Sequence, residues 1–248
     1  MGRTDAARTD AGRPAGGRHV AAGPLKCPSN QTEHVTGPAL RTPVRRIGAA
    51  VNHDDVVVRF VSLWTVVATV FAGAWIGSYY GLPAGLLRGA NPVASVPYAG
   101  SVWREFLTLF VWNVGVTLVA VGANTFRSVN TPLGYLVLVV QAPQYGIVWG
   151  TGSLAVGTGA RIAPSLSVLV ERSGPMEITA VVAVVAATRG VVLWHQQSGP
   201  RWREEFERVR SPRDWSLTRR EWGVLAGGYL LLAVANYREA VAIARLAG

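Results

Sequence analysis

The chain has 248 residues, a net charge of +10, half of its residues hydrophobic and only 15% charged, against about 25% in soluble domains. Its charges collect at the ends: residues 60–200 hold just nine, namely Arg88, Arg104, Glu105, Arg127, Arg161, Glu171, Arg172, Glu177 and Arg189. A middle that apolar points to the bilayer as its solvent, and the single cysteine, Cys27, excludes a disulfide scaffold.

The basic residues flank apolar spans and form no stripe on a polar domain, so nucleic acid is not the expected partner. Residues 1–55 begin with an arm rich in Gly, Ala, Pro, Arg and Thr, with the near-repeat Arg3-Thr4-Asp5-Ala6 and Arg8-Thr9-Asp10-Ala11. It shows no periodic apolar face, so a disordered arm is expected. The arm is either an untethered tail or a contact for anionic headgroups. It lacks the apolar middle of a secretory signal.

The bundle is expected over residues 56–248. A first span covers about 60–80: 21 uncharged residues that a helix would stretch over ~30 Å, one hydrocarbon core. Arg59 and Asp55 mark its polar start, and Trp75, Tyr79 and Tyr80 form an interfacial end. A second span covers about 106–123. A third covers 133–149, capped by Thr131 with Pro132 in the first turn and interrupted by Pro143. Residues 150–170, broken by Gly150, Gly152, Gly157, Gly159 and Pro164, read as an outer loop, a re-entrant segment or a short extra helix. A fourth span runs over 175–194 and a fifth over 222–246.

Segments 1–59 and 195–221 carry nine and seven basic residues, whereas loops 81–105, 124–132 and 150–174 carry two, one and two. The positive-inside rule places both rich segments in the cytoplasm, and four crossings between them achieve this. The expected fold is therefore an all-α, polytopic bundle of five spans in the cell membrane, with its amino terminus cytoplasmic. Segment 195–221 reads as a cytoplasmic amphipathic helix, with Trp202, Phe206 and Val209 at helical spacing among arginines. Thr218 and Glu221 form a capping box opening the last span.

Polar side chains in hydrocarbon are functional candidates by default. Asn113 lies ~10 Å below the outer end of the second span and Gln144 ~16 Å above the inner end of the third. A bond from Asn113 to Gln144 or Gln141 is expected, as structural glue or as part of a polar solute path. In Gly174-Pro175-Met176-Glu177, the carboxylate either caps the helix start or couples to protons or a cation. Arg189 is ~18 Å along the helix from Glu177, cannot pair with it, and is placed to snorkel to inner headgroups. Gly73/Gly77 and Gly146/Gly150 mark close helix packing. The four histidines have no metal-ligand spacing, no nucleophile has a base, and Gly157-Thr158-Gly159 lacks the Lys-Ser/Thr of a phosphate loop. No enzyme, cofactor or metal is expected.

The region from about residue 60 to 246 resembles the stage II sporulation protein M family of multi-helix membrane proteins. The resemblance rests on Phe110-Val111-Trp112-Asn113, on the glycines from Gly122 through Gly134, Gly146 and Gly150, and on Gly174-Pro175-Met176-Glu177-Ile178-Thr179-Ala180. Trp112 stands where the family has a first asparagine, and Ser173 where its signature has histidine, so no role for that imidazole carries over. The resemblance implies a non-enzymatic scaffold or assembly factor that recruits membrane or cell-envelope proteins, a second copy of the chain being one such partner. The alternative is a transporter or permease subunit for a small solute or peptide. A water-accessible cavity joining Asn113, Gln141, Gln144 and Glu177 would favour transport. A closed pack would favour the scaffold.

Overall fold

Helices dominate the computed structural model, which describes residues 38–90, 99–153, 161–196 and 205–247. Residues 1–37, the 154–160 stretch with Gly157 and Gly159, and Trp202 with its neighbouring arginines lie outside these.

Helix α1 (Pro38–Val51) occupies the end of the stretch expected to be disordered. Leu40, Val44, Ile47 and Val51 recur there at spacings of four, three and four, an apolar period that the Pro- and Thr-rich flanks obscure. Helix α2 (Val56–Gly81) starts earlier than expected, because Asp55 accepts from the backbone N–H groups of Val57 and Val58. Helix α3 (Val102–Ala123) is capped by Ser101. Both α2 and α3 are long and apolar enough to cross a membrane.

Strands β1 (Phe126–Ser128) and β2 (Thr131–Pro132) form a hairpin. Thr131 therefore pairs in β2, and Pro132 takes the cap position of α4 (Leu133–Thr151) without a side-chain bond. The six-residue α5 (Leu166–Glu171) follows. Helix α6 (Gly174–Ala187) ends well short of Trp194: its 14 residues rise ~21 Å, less than a ~30 Å core. Strands β3 (Trp194–Gln196) and β4 (Glu207–Arg208) precede α7 (Arg219–Ala247). The Thr218–Glu221 capping box is formed, each residue bonding the other's backbone N–H.

Two expectations need correction. The fold is mostly helical but not all-α, because the strands form one sheet in the order β2-β1-β3-β4. The described part of 195–221 is not an amphipathic helix. β3 pairs parallel to β1, with His195 opposite Arg127, and Phe206 sets its ring edge-on to Phe126, which stacks on Trp194. Phe206 is thus spent on the sheet, while Val209 and Trp215 stay exposed on extended backbone instead of forming a helical stripe.

The sheet gathers helix ends. α3 enters it and α4 leaves it, α6 enters it, and α7 starts beside the start of α2, where Arg59 meets Glu221 and Arg220 meets Asp55. At the other end, Gly85 N–H donates to Thr151 O, and Arg161 donates to the carbonyls of Tyr79 and Leu82. Helices α2, α3, α4, α6 and α7 thus run alternately away from and toward the sheet. α2 and α4 form the tightest pair. A Cβ at Gly146 would sit 2.5 Å from Phe71 O, and one at Gly150 2.6 Å from Trp75 O, whereas Gly73 and Gly77 face open space. The core is Leu63, Val67, Phe71, Trp75, Leu138, Trp149, Val182 and Val185.

Candidate functional site

At the end of the helices away from the sheet, α4 follows α2 and leaves room before α7. The result is a half-open cavity of about 720 Å³. Its lining runs from the exposed Leu246 and Glu171 to the buried Val67 and Val182. From Gly174 to Val182 along α6 this is a depth of ~12 Å. Trp149 forms one wall, held edge-on by Phe71 at 5.3 Å and Trp75 at 5.2 Å between ring centroids. The Trp75 indole N–H donates to Ile162 O at 2.8 Å, which fixes the 161–165 stretch against this wall.

The polar side chains enter from three helices. Asn113 Nδ2 on α3 donates to Asn236 Oδ1 on α7 at 2.6 Å and to Glu177 Oε1 on α6 at 3.5 Å. The Asn236 amide then donates to Leu232 O at 2.7 Å. Glu177 and Glu239 lie within hydrogen-bonding reach of each other, and Ser173 Oγ donates to Glu239 Oε2 at 3.3 Å. Two carboxyl groups that close, in a partly dry setting, form a place where a positive group is strongly favoured. Arg172, Arg238 and Arg245 line the same cavity. Arg238 is oriented by Met176 Sδ and the carbonyls of Val170 and Glu171.

Of the residues singled out in the sequence, Asn113, Gln141, Gly174 and Glu177 line this one cavity. Gln144 is exposed and does not line it. Asn113 bonds neither glutamine; its partner is Asn236, because α3 meets α7, not α4, in this half. Glu177 is not the expected cap. Ser173 is the cap residue, Glu177 is the fourth helical residue, and its carboxylate turns inward to Asn113 and Glu239. Gly174 serves sterically: a Cβ there would meet Trp149 Cζ2 at 2.5 Å. Pro175 occupies the first turn, and its carbonyl accepts from Thr179 Oγ1. Arg189 lies at the sheet end, where its Nη1 donates to His53 O and Asp54 Oδ1.

Asn236, Glu239 and Tyr145 were not legible as site residues. Asn236 had the same signal as Asn113, one amide in an apolar run, yet its role depends on a partner 123 residues away. No protein-family model, curated protein or solved structure matches the chain.

Proposed function

We propose that the chain is a five-span integral membrane protein, its amino end and sheet on the cytoplasmic side, and a permease subunit that binds a small solute in the outer cavity without covalent chemistry. The five-span reading is supported by the alternating run of α2, α3, α4, α6 and α7 and by the arginine-bearing segments meeting at one end. The short α6 fits a locally thinned bilayer, at a modest cost per Å of mismatch.

The observation that carries the solute reading is the cavity itself. It joins Asn113, Gln141 and Glu177 and is lined by three carboxylates and three guanidinium groups. Both charge signs, with Tyr145 and Trp149 as apolar walls, suit a zwitterion such as an amino acid or short peptide: an ammonium end at Glu177 and Glu239 and a carboxylate end at the arginines.

The partner-recruiting role implied by the family resemblance remains the second reading. It is favoured by the sheet end, where Val209 and Trp215 are exposed beside Arg208 and Arg210.

Single cysteines in a Cys27→Ser background separate the two. Under the solute reading, Gln141→Cys reacts with a membrane-impermeant maleimide added outside, an amino-acid mixture slows the reaction, and the outward-facing Val140→Cys stays unreactive. An unreactive Gln141→Cys, with partner crosslinks through Trp215, overturns the solute reading in favour of the scaffold.

A further inference from the structure

A second cavity, of about 440 Å³, opens at the sheet end between the start of α2, the α6–β3 connection and β4. We infer that it is a binding site for a phosphate-class anion, either a free phosphate or the phosphate of an acidic lipid headgroup with no cation of its own. This holds whether or not the outer cavity carries a solute.

Four arginines face this cavity, Arg59, Arg127, Arg189 and Arg210, together with His195. Against them stand only Asp54 and Glu221. Arg59 is fully used: its Nη2 donates to Glu221 Oε1 at 2.8 Å, its Nε to Ala186 O at 2.9 Å, and its Nη1 to the carbonyls of His53 and Asp54. Arg189 has Asp54, whose carboxylate is wholly solvated and so offsets little. His195 donates from Nε2 to Val129 O at 2.6 Å. Arg127 and Arg210 have no carboxylate partner among the described residues.

Polar atoms here lack what the protein itself could supply. Arg127 Nε and Arg189 Nε are buried without a hydrogen-bond partner, and so is the Tyr135 hydroxyl. Tyr135 is 2% exposed. Buried donors left unpaired are costly, and in native proteins they are usually met by water or a ligand. Burial first, and then the neighbouring Arg189, Arg210 and Arg59, opposed by Tyr135, push the Arg127 guanidinium below its ordinary range, in keeping with its lack of a carboxylate partner.

A planar guanidinium with free N–H groups matches the oxygens of a phosphate two at a time. The space is several times that of one phosphate, so an organic ester fits with it. If the sheet end lies at the inner membrane surface, basic pockets between helix ends are where acidic lipid headgroups bind.

The test follows thermal unfolding of the full chain by tryptophan fluorescence. In one arm, inorganic phosphate is titrated in neutral detergent against sodium chloride of equal ionic strength. In the other, nanodiscs of phosphatidylglycerol are compared with phosphatidylcholine. The expected result is a concentration-dependent rise in Tm with phosphate, with phosphatidylglycerol, or with both; phosphate alone identifies a free anion and the lipid alone a headgroup. Arg127→Gln removes an uncompensated charge, so it should raise Tm in chloride while weakening the phosphate-class response about tenfold or more. Arg127→Lys, which keeps the charge and loses the fork, should weaken it severalfold. The inference is overturned if neither arm responds, if succinate matches phosphate, or if either variant, including Arg127→Lys where Arg127→Gln does not fold, keeps the full wild-type response.

Discussion

Arg59 Nη2 and Glu221 Oε1 stand 2.8 Å apart across 162 residues of sequence. Because Arg59 also donates to Ala186 O, one guanidinium fastens the start of α2 to the end of α6 and the start of α7. Arg59 is 2% exposed, so it is tolerated only because every arm of the fork is engaged. The Thr218 box places the opposing carboxylate: Glu221 Oε2 accepts from Thr218 N at 2.9 Å, leaving Oε1 for the arginine.

Glu221→Leu should therefore be more damaging than its partial exposure suggests, since it strands Arg59. Removing one member of a buried pair costs about 3–5 kcal/mol. The loss should appear as a lower unfolding midpoint in detergent, and the double change Arg59→Met/Glu221→Leu should recover a good part of it. Equal losses in the single and double variants would contradict this account.

The same pair sets a direction for acid sensitivity. Burial pulls the Glu221 carboxyl upward, but the Thr218 backbone N–H, Arg59 and the Thr218 hydroxyl outweigh it and hold the group below its ordinary value of 4.5. Asp55 is also held low, first by the Val57 N–H and then by that of Val58. A depressed carboxyl stabilises the fold fully above its unfolded value and loses that contribution as pH falls through its lower folded value. Tm should thus be flat near neutrality and decline below about pH 4.5, and Glu221→Gln should show a shallower decline.

Helix packing gives a contrast within one family of substitutions. Gly146→Ala and Gly150→Ala drive a methyl into the α2 backbone at Phe71, Trp75 and Tyr79, and overpacking of that kind costs about 1–3 kcal/mol. Gly73→Ala and Gly77→Ala meet nothing and should be neutral or slightly stabilising in unfolding titrations, through helix propensity.

Val129 links β1 to β2 with φ at +54°, a left-handed conformation that a β-branched residue adopts at a cost. Its carbonyl is held by His195, and its N–H donates to Gln196 O. Val129→Asn, whose side chain tolerates that region, should raise stability by about 0.5–1 kcal/mol in the same titrations. A destabilised variant would show that the Val129 side chain contributes packing beyond its backbone strain.

Much of the frame was legible from local signals. The uncharged run after Arg59, the Thr218–Glu221 box and the charge-poor loops locate α2, α7 and the alternating direction of the helices. What local signals could not carry was pairing at a distance. Phe206 and Val209 fit a helical period, but they flank the two-residue β4, which is decided by its neighbour β3, and β3 in turn finds β1 some 68 residues upstream. Asn113 stands out by its apolar surroundings, but its partner Asn236 does not follow from them. Depth along a helix says how high a side chain sits and nothing about which helix it faces. Of the two readings of Glu177, the cap rests on local sequence alone, which says nothing of Asn113 and Glu239 beside it.

The five-span proposal puts the sheet end and the outer cavity on opposite sides of a membrane. It is tested most directly by two single cysteines in the Cys27→Ser background: Val209→Cys beside β4, and Leu166→Cys on α5, where the side chain is 82% exposed. In right-side-out vesicles, an impermeant maleimide should label Leu166→Cys at once and Val209→Cys only after permeabilisation. Labelling of both positions from the same side would contradict the account.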